Sequence, residues 1–187
     1  MLAEFKTNLP AVTDQAATGP AKEIIDATQE KLGFVPNMYR TMANSPGYLS
    51  TYIHGYNEFR GNSGFNAKEQ EIVFLVISRL NQCEYCVAAH SMIGDKMAKL
   101  DEDTLNAVRA GIQIADEKLQ ALAVFTAQVF ETRGFVTKAQ AAAFLDAGYG
   151  ENQILEVVLA IAVKTLSNYS NHIFHTDLDA PFQPYAG

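Results

Sequence analysis

Asn66-Ala-Lys-Glu69-Gln-Glu71-Ile-Val-Phe-Leu-Val-Ile-Ser-Arg-Leu-Asn81-Gln-Cys83-Glu-Tyr-Cys86-Val-Ala-Ala-His90 is the stretch that decides the fold class. Its β-branched run, Ile72, Val73, Val76 and Ile77, has the composition of a buried strand. The flanks argue otherwise. Asn66 and Glu69 make a capping-box pattern, in which the Asn side chain accepts from the first turn and the Glu side chain reaches back. Ile72, Val76 and Leu80 then keep a helical phase, and no alternating strand pattern persists. The stretch reads as one helix followed by a second, with Asn81 as the expected cap of the second.

Working outward, helical periodicity covers nearly the whole chain. Pro20–Leu32 is amphipathic and Gly33 ends it. Pro36 and Pro46 sit where helices begin, the first over Asn37–Ala43 and the second through Leu49, Tyr52, Ile53 and Tyr56 to Gly61. Asp101–Ala110 and Asp116–Thr132 follow, then an Ala-rich helix behind a second capping-box pattern, Thr137-Lys-Ala-Gln140, and a long region from Glu151 to about His175. The fold class that follows is all-α. Residues 1–19 form an N-terminal arm, either ordered or frayed, and the tail from Asp177 is expected to wrap the surface.

The 187 residues favour a single domain, 1–187. Apolar residues at 48% supply a real core. Fourteen Lys and Arg stand against 21 Asp and Glu, with no basic cluster, which argues against a nucleic-acid partner. Neither apolar run, Ile72–Ile77 or Ile154–Val163, reaches the ~20 residues of a membrane span. With no basic-then-apolar leader pattern at the start, a cytoplasmic protein is expected. Two cysteines three residues apart are a poor staple in such a chain. They are a better reactive or metal-binding pair.

On a helix, Cys83, Cys86 and His90 fall on one stripe at i, i+3 and i+7. A helix N-terminus favours thiolate over thiol, and the thiolate is the nucleophile. His90 is placed to accept or relay a proton, and a helical hairpin would bring Glu71 to the pair. The same spacing recurs downstream: 71 and 156, 83 and 168, 86 and 171, and 90 and 175 are each 85 residues apart. Glu71, Cys83, Cys86 and His90 become Glu156, Asn168, Asn171 and His175. This reads as an internal duplication of a two-helix unit, centred on 66–98 and 151–176, with thiols in the first copy only. Asn168, Asn171 and His175 are expected in a hydrogen-bonded network at a packing surface or subunit contact. Three alternatives stay open. Zinc would use Cys83, Cys86 and His90 with His172 or His175. A structural pair would be two small buried apolar side chains. A redox sensor would be a non-catalytic helical oligomer. His54 is expected to be half-buried and satisfied, and Phe34, Met38 and Tyr39 to line either a pocket mouth or the core.

The spacing E-x11-C-x2-C-x3-H resembles the alkylhydroperoxidase AhpD-like, peroxidase-related branch of the carboxymuconolactone decarboxylase superfamily. Lys31-Leu-Gly-Phe-Val-Pro-Asn37, Asp116-Glu-Lys-Leu-Gln-Ala-Leu122 and Lys164-Thr-Leu-Ser-Asn-Tyr-Ser-Asn-His172 add to the likeness, which runs from about Gly33 to Asp179. The resemblance implies a duplicated all-α AhpD-like fold, a homo-oligomer, and thiol-dependent reduction of hydroperoxides with no cofactor and no metal. Cys86 would attack the peroxide, and Cys83 would resolve the sulfenic acid as an exposed disulfide. A lipoyl or thioredoxin-like dithiol would reduce that disulfide, with Glu71 and His90 relaying protons. Better-studied relatives carry His where this chain has Tyr85, a candidate accessory residue. A phenol with a pKa near ~10 donates hydrogen bonds well and accepts protons poorly at neutral pH. The superfamily's lyase branch lacks the CxxC pair and ranks lower.

Overall fold

A computed structural model describes residues 2–187, and among them there are nine α-helices and no strand. They are α1 (Gly19–Leu32), α2 (Asn37–Met42), α3 (Pro46–Asn62), α4 (Ala67–Leu80), α5 (Glu84–Ile93), α6 (Glu102–Ala110), α7 (Glu117–Thr132), α8 (Lys138–Asp146) and α9 (Glu151–Phe174). A π-helical turn, Gly94–Ala98, continues α5, and a 3-10 helix, Ala180–Tyr185, lies in the tail.

Local chemistry starts these helices where the sequence predicts. Both capping boxes form, at Asn66–Glu69 and at Thr137–Gln140. Asp101 and Asp116 cap α6 and α7 by accepting from the N–H groups of Thr104 and Leu119. Each such cap satisfies an otherwise orphan donor, worth about 1 kcal/mol.

Helix α4 is the axis of the core. Its six residues Ile72 to Ile77 are buried all round, which is why they read as a strand by composition: a helix enclosed on every side has no polar face. It packs against α5, α6, α7 and α9. At the α3–α9 crossing, a Cβ on Gly55 would stand 2.9 Å from Val163 Cγ2, so the close approach of the two helices requires glycine there.

The termini fall within the expectations. The N-terminal arm is ordered along the body, with the amides of Ala3 and Thr7 donating to the carbonyls of His172 and Ile173. The tail lies on the surface, anchored by its own buried Phe182, and its 3-10 helix packs on α5. His54 is exposed rather than half-buried. In the second half, the stretch aligned with the α4–α5 hairpin is one unbroken helix, α9, so Glu156 and His175 are not brought together as Glu71 and His90 are. No helix among the described residues is long and apolar enough to cross a membrane.

Candidate active site

The break between α4 and α5 sets the site. Gln82 adopts φ 55°, a left-handed conformation that costs a non-glycine residue roughly 1 kcal/mol or more. The turn folds α5 back along α4 and leaves Cys83 as the N-cap of α5, with Cys86 in its first turn. Asn81, the expected cap, instead ends α4, and its side chain donates to Asn168 Oδ1 at 2.8 Å. The hairpin delivers His90 to Glu71: Nδ1–H of the imidazole donates to Glu71 Oε2 at 2.8 Å. Arg60, at the end of α3, holds the other carboxylate oxygen at 2.5 Å.

Electrostatics give each group a state. Burial alone would raise the Glu71 carboxyl, but His90 and Arg60 hold it below its usual range. Burial and the charge of Lys164 depress His90 to about 4, against the pull of Glu71. At neutral pH the Glu71–His90 contact is therefore a hydrogen bond, and the second ring nitrogen is left as an acceptor. Burial would likewise raise Cys86. A hydrogen bond from the Cys83 thiol, the neighbouring Lys164 and Ser167 outweigh it and hold Cys86 well below the ordinary thiol range. Cys83 is raised, first because it donates to Cys86 and then by burial. The pair is a thiolate beside a thiol.

The two sulfurs differ in access. Cys86 lines a cavity of about 780 Å³, together with Tyr39, Tyr52, Tyr56 and His90, and Cys83 lies behind it. Phe34, Met38 and Tyr39 line this cavity. Both cysteines are free and buried, at 1% and 2% exposure. The resemblance implies an exposed disulfide; in this fold both thiols are buried, and the tail's 3-10 helix packs on α5, the helix that carries Cys86.

Tyr85 explains how. Its hydroxyl donates to Asp179 Oδ2 at 2.5 Å, and the same carboxylate accepts from the Asn37 amide at 3.1 Å. Phe182 then packs edge-on against Tyr85 and Phe34. Burial and the adjacent Asp179 charge push the Tyr85 phenol well up, so it donates and does not take up protons. A charged hydrogen bond of this kind contributes about 1.5–3 kcal/mol. Tyr85→Phe should accelerate amide exchange across residues 177–187 and speed alkylation of Cys83. Unchanged exchange there would remove Tyr85 as the tail's anchor.

Sequence reading brings Glu71, Cys83, Cys86 and His90 together and the structure agrees. It misses Arg60 and the contribution of α9. Lys164, Ser167, Asn168 and Asn171 form a buried polar stripe at i, i+3, i+4 and i+7 on that helix. Asn171 Nδ2 donates towards Cys86 Sγ at 3.3 Å and approaches Cys83 Sγ at 3.8 Å. Of the asparagines expected in a packing network, Asn168 accepts from Asn81 and Asn171 donates to the thiols. The spacing of that stripe was the available signal. His175 turns away to donate to the Ala3 carbonyl at 2.8 Å.

Residues 48–127, which include Glu71 and the whole α4–α5 hairpin, match the carboxymuconolactone decarboxylase family. Over that segment the chain is similar to the carboxymuconolactone decarboxylase family. Its fold is AhpD-like. An AhpD-core, peroxidase-related protein from Ralstonia eutropha JMP134 superposes with TM-score 0.84 at 22% identity, over 96% of both chains. A peroxidase-related protein from Silicibacter sp. TM1040 gives 0.77 at 20%, over 96% of this chain and 97% of the other. The debrominase Bmp8, solved as a cysteine-to-alanine variant with 2,3,4-tribromopyrrole, gives 0.79 at 16%, over 96% of both. No curated protein matches the chain at the level of sequence.

The buried imidazole of His90 makes a pH prediction. His90 titrates at about 4 folded and near 6.5 unfolded, so between those values the unfolded chain binds the extra proton. Its contribution to stability is fully present above about 6.5 and is lost as pH falls towards 4, at up to roughly 1.4 kcal/mol per unit. Glu71, depressed in the fold, adds loss in the same direction at lower pH. The melting temperature should fall on acidification from pH 7 to 4.5, with a shallower slope in His90→Asn. Equal slopes would contradict this assignment.

Proposed function

We propose that this protein is a thiol-dependent hydroperoxide reductase that works through Cys86 and Cys83. One observation carries the reading: Cys86, the sulfur held as thiolate, faces the cavity, and the protonated Cys83 lies directly behind it. Substrate reaches the nucleophile first, and the resolving thiol is already hydrogen-bonded to it.

The chemistry balances in three steps. The Cys86 thiolate bonds to the terminal peroxide oxygen and the O–O bond breaks. Sulfur becomes a sulfenic acid, and the departing RO⁻ takes a proton to become ROH. The Cys83 thiol condenses with the sulfenic acid, forming the disulfide and releasing water. An external dithiol, lipoyl or thioredoxin-like, then reduces the disulfide by exchange and becomes oxidised itself. The neutral His90 imidazole, oriented by Glu71, is the proton acceptor and donor in these transfers. Arg60 is the positioning residue that fixes Glu71.

The cavity's lining of Tyr39, Tyr52, Tyr56 and Phe34 favours a substrate with an apolar or aromatic body. That lining also favours a second reading, two-electron removal of halogen from an aromatic ring. There Ar–X and two thiols give Ar–H, HX and the disulfide. Exposed apolar residues on α9, Leu155 at 70% and Val158 at 47%, support a homo-oligomer.

The test is dithiol-dependent turnover with dihydrolipoamide, offering cumene hydroperoxide and a brominated pyrrole in parallel. Loss of hydroperoxide with stoichiometric dithiol oxidation supports the first reading. Bromide release with no hydroperoxide loss selects the second, and neither reaction sinks both.

A further inference from the structure

Lys164 comes from the middle of α9 and reaches the wall of the same cavity, yet it is only 1% exposed. Its Nζ makes no hydrogen bond and stands 5.5 Å from the centre of the Phe74 ring. A buried ammonium is costly unless an anion compensates it. Two carboxylates line this cavity: Glu23 is exposed to solvent, and the buried Glu71 is already held by Arg60 and His90. Cys86 is what remains. The face of α9 that carries Lys164 is turned onto that sulfur, because Asn171, two turns along the same stripe, donates to it.

We infer that Lys164 is the counter-ion of the Cys86 sulfur: it balances the attacking thiolate in the resting cavity and then the leaving oxygen, to which the same negative charge passes. The first half stands on the charge arrangement alone, and the second rests on the hydroperoxide-reductase reading. When sulfur bonds to the terminal oxygen, the electron pair of the O–O bond leaves on RO⁻, beside an Nζ with hydrogens free to donate. A solvent proton, relayed through His90, completes ROH. The oxidised sulfur is neutral, so Lys164 is uncompensated until the dithiol restores the thiolate.

Other groups facing the sulfur do not supply this charge. Cys83, Tyr85 and His90 face it from α5 and its cap, Tyr39 from α2, Tyr52 from α3, and His172 from α9. The tyrosines are pushed up by burial and the Cys83 thiol by its hydrogen bond to Cys86 and by burial. His90 and His172 are pushed down by burial, so all are neutral at pH 7. Lys164 is the remaining basic side chain at this wall.

The test follows iodoacetamide alkylation of Cys86 across pH, read site by site by peptide mass spectrometry, on the reduced full-length protein. Wild type should show an inflection well below the ordinary thiol value near ~8.5. Lys164→Met keeps the length of the stem and removes the charge. Its inflection should move up by about one unit or more, with a roughly tenfold slower rate at pH 6.5 and an unchanged plateau at high pH. Lys164→Arg should restore the wild-type profile. An unmoved inflection in a folded Lys164→Met overturns the inference. If that variant does not fold, the wild-type profile decides: an inflection near the ordinary thiol value overturns it, and a low one lost in Lys164→Gln supports it. Alkylation needs no peroxide, so a shifted profile in a peroxide-inert protein would sink only the reductase reading.

Discussion

Cys86→Ser should abolish hydroperoxide consumption, with a loss of at least about a thousandfold that leaves only the background reaction of free dithiol. A serine hydroxyl stays protonated where this thiol ionises, and oxygen cannot cycle through sulfenic acid and disulfide. Cys83→Ser should behave differently. The first attack survives, one equivalent of hydroperoxide is consumed, and the enzyme stops at a sulfenic acid that no neighbouring thiol resolves. The contrast matters more than either variant alone. If the two cysteines merely fill the α5–α9 interface, both changes would cost packing energy and neither would leave a trapped sulfenic acid. A dimedone adduct on Cys86 in the Cys83→Ser protein, and none in Cys86→Ser, is the expected pattern. Equal turnover in Cys86→Ser and wild type would end the reductase reading.

Glu71→Ala should destabilise the fold by about 3–5 kcal/mol in chemical denaturation. Glu71 is completely buried; one oxygen forms an ion pair with the Arg60 guanidinium and the other accepts from the His90 ring. Arg60 is itself largely buried, with its guanidinium over the rings of Tyr56 and Phe74 at 4.9 and 4.8 Å. Removing the carboxylate leaves that cation in an aromatic setting with no counter-charge, which is far worse than never having built the pair. Domains of this size are stable by only roughly 5–15 kcal/mol, so the loss is a large share of the total. Glu71→Gln keeps the shape and an acceptor for His90 and should lose less. A cost below about 1 kcal/mol for the alanine variant would show that Arg60 finds solvent without Glu71, and the buried triad would then carry little of the fold.

Helix starts were legible in the sequence because they are local. Asn66, Thr137, Asp101 and Asp116 each cap within three residues of themselves, and no tertiary contact is needed to see it. Glu71, Cys86 and His90 were legible as a group because one hairpin brings them together. Arg60 and Lys164 were not, since their places depend on how α3 and α9 cross α4, and a lone charge in a helical pattern reads as solvated surface. The recurrent spacing of the second half misled in one respect. It matches that of the first half, but without a left-handed residue corresponding to Gln82 the chain runs straight through as α9. Its polar positions serve the first copy's thiols. The tail carried no periodicity to read, because a 3-10 helix holding two prolines is fixed by Tyr85, Asp179 and Phe182 and not by its own propensity.

The most direct measurement is the free-thiol count and intact mass of the reduced protein, before and after one equivalent of cumene hydroperoxide. Both thiols should disappear together as an intramolecular Cys83–Cys86 disulfide, with one cumyl alcohol formed per chain. Two thiols still free after exposure, in protein that remains folded, would contradict the dithiol mechanism.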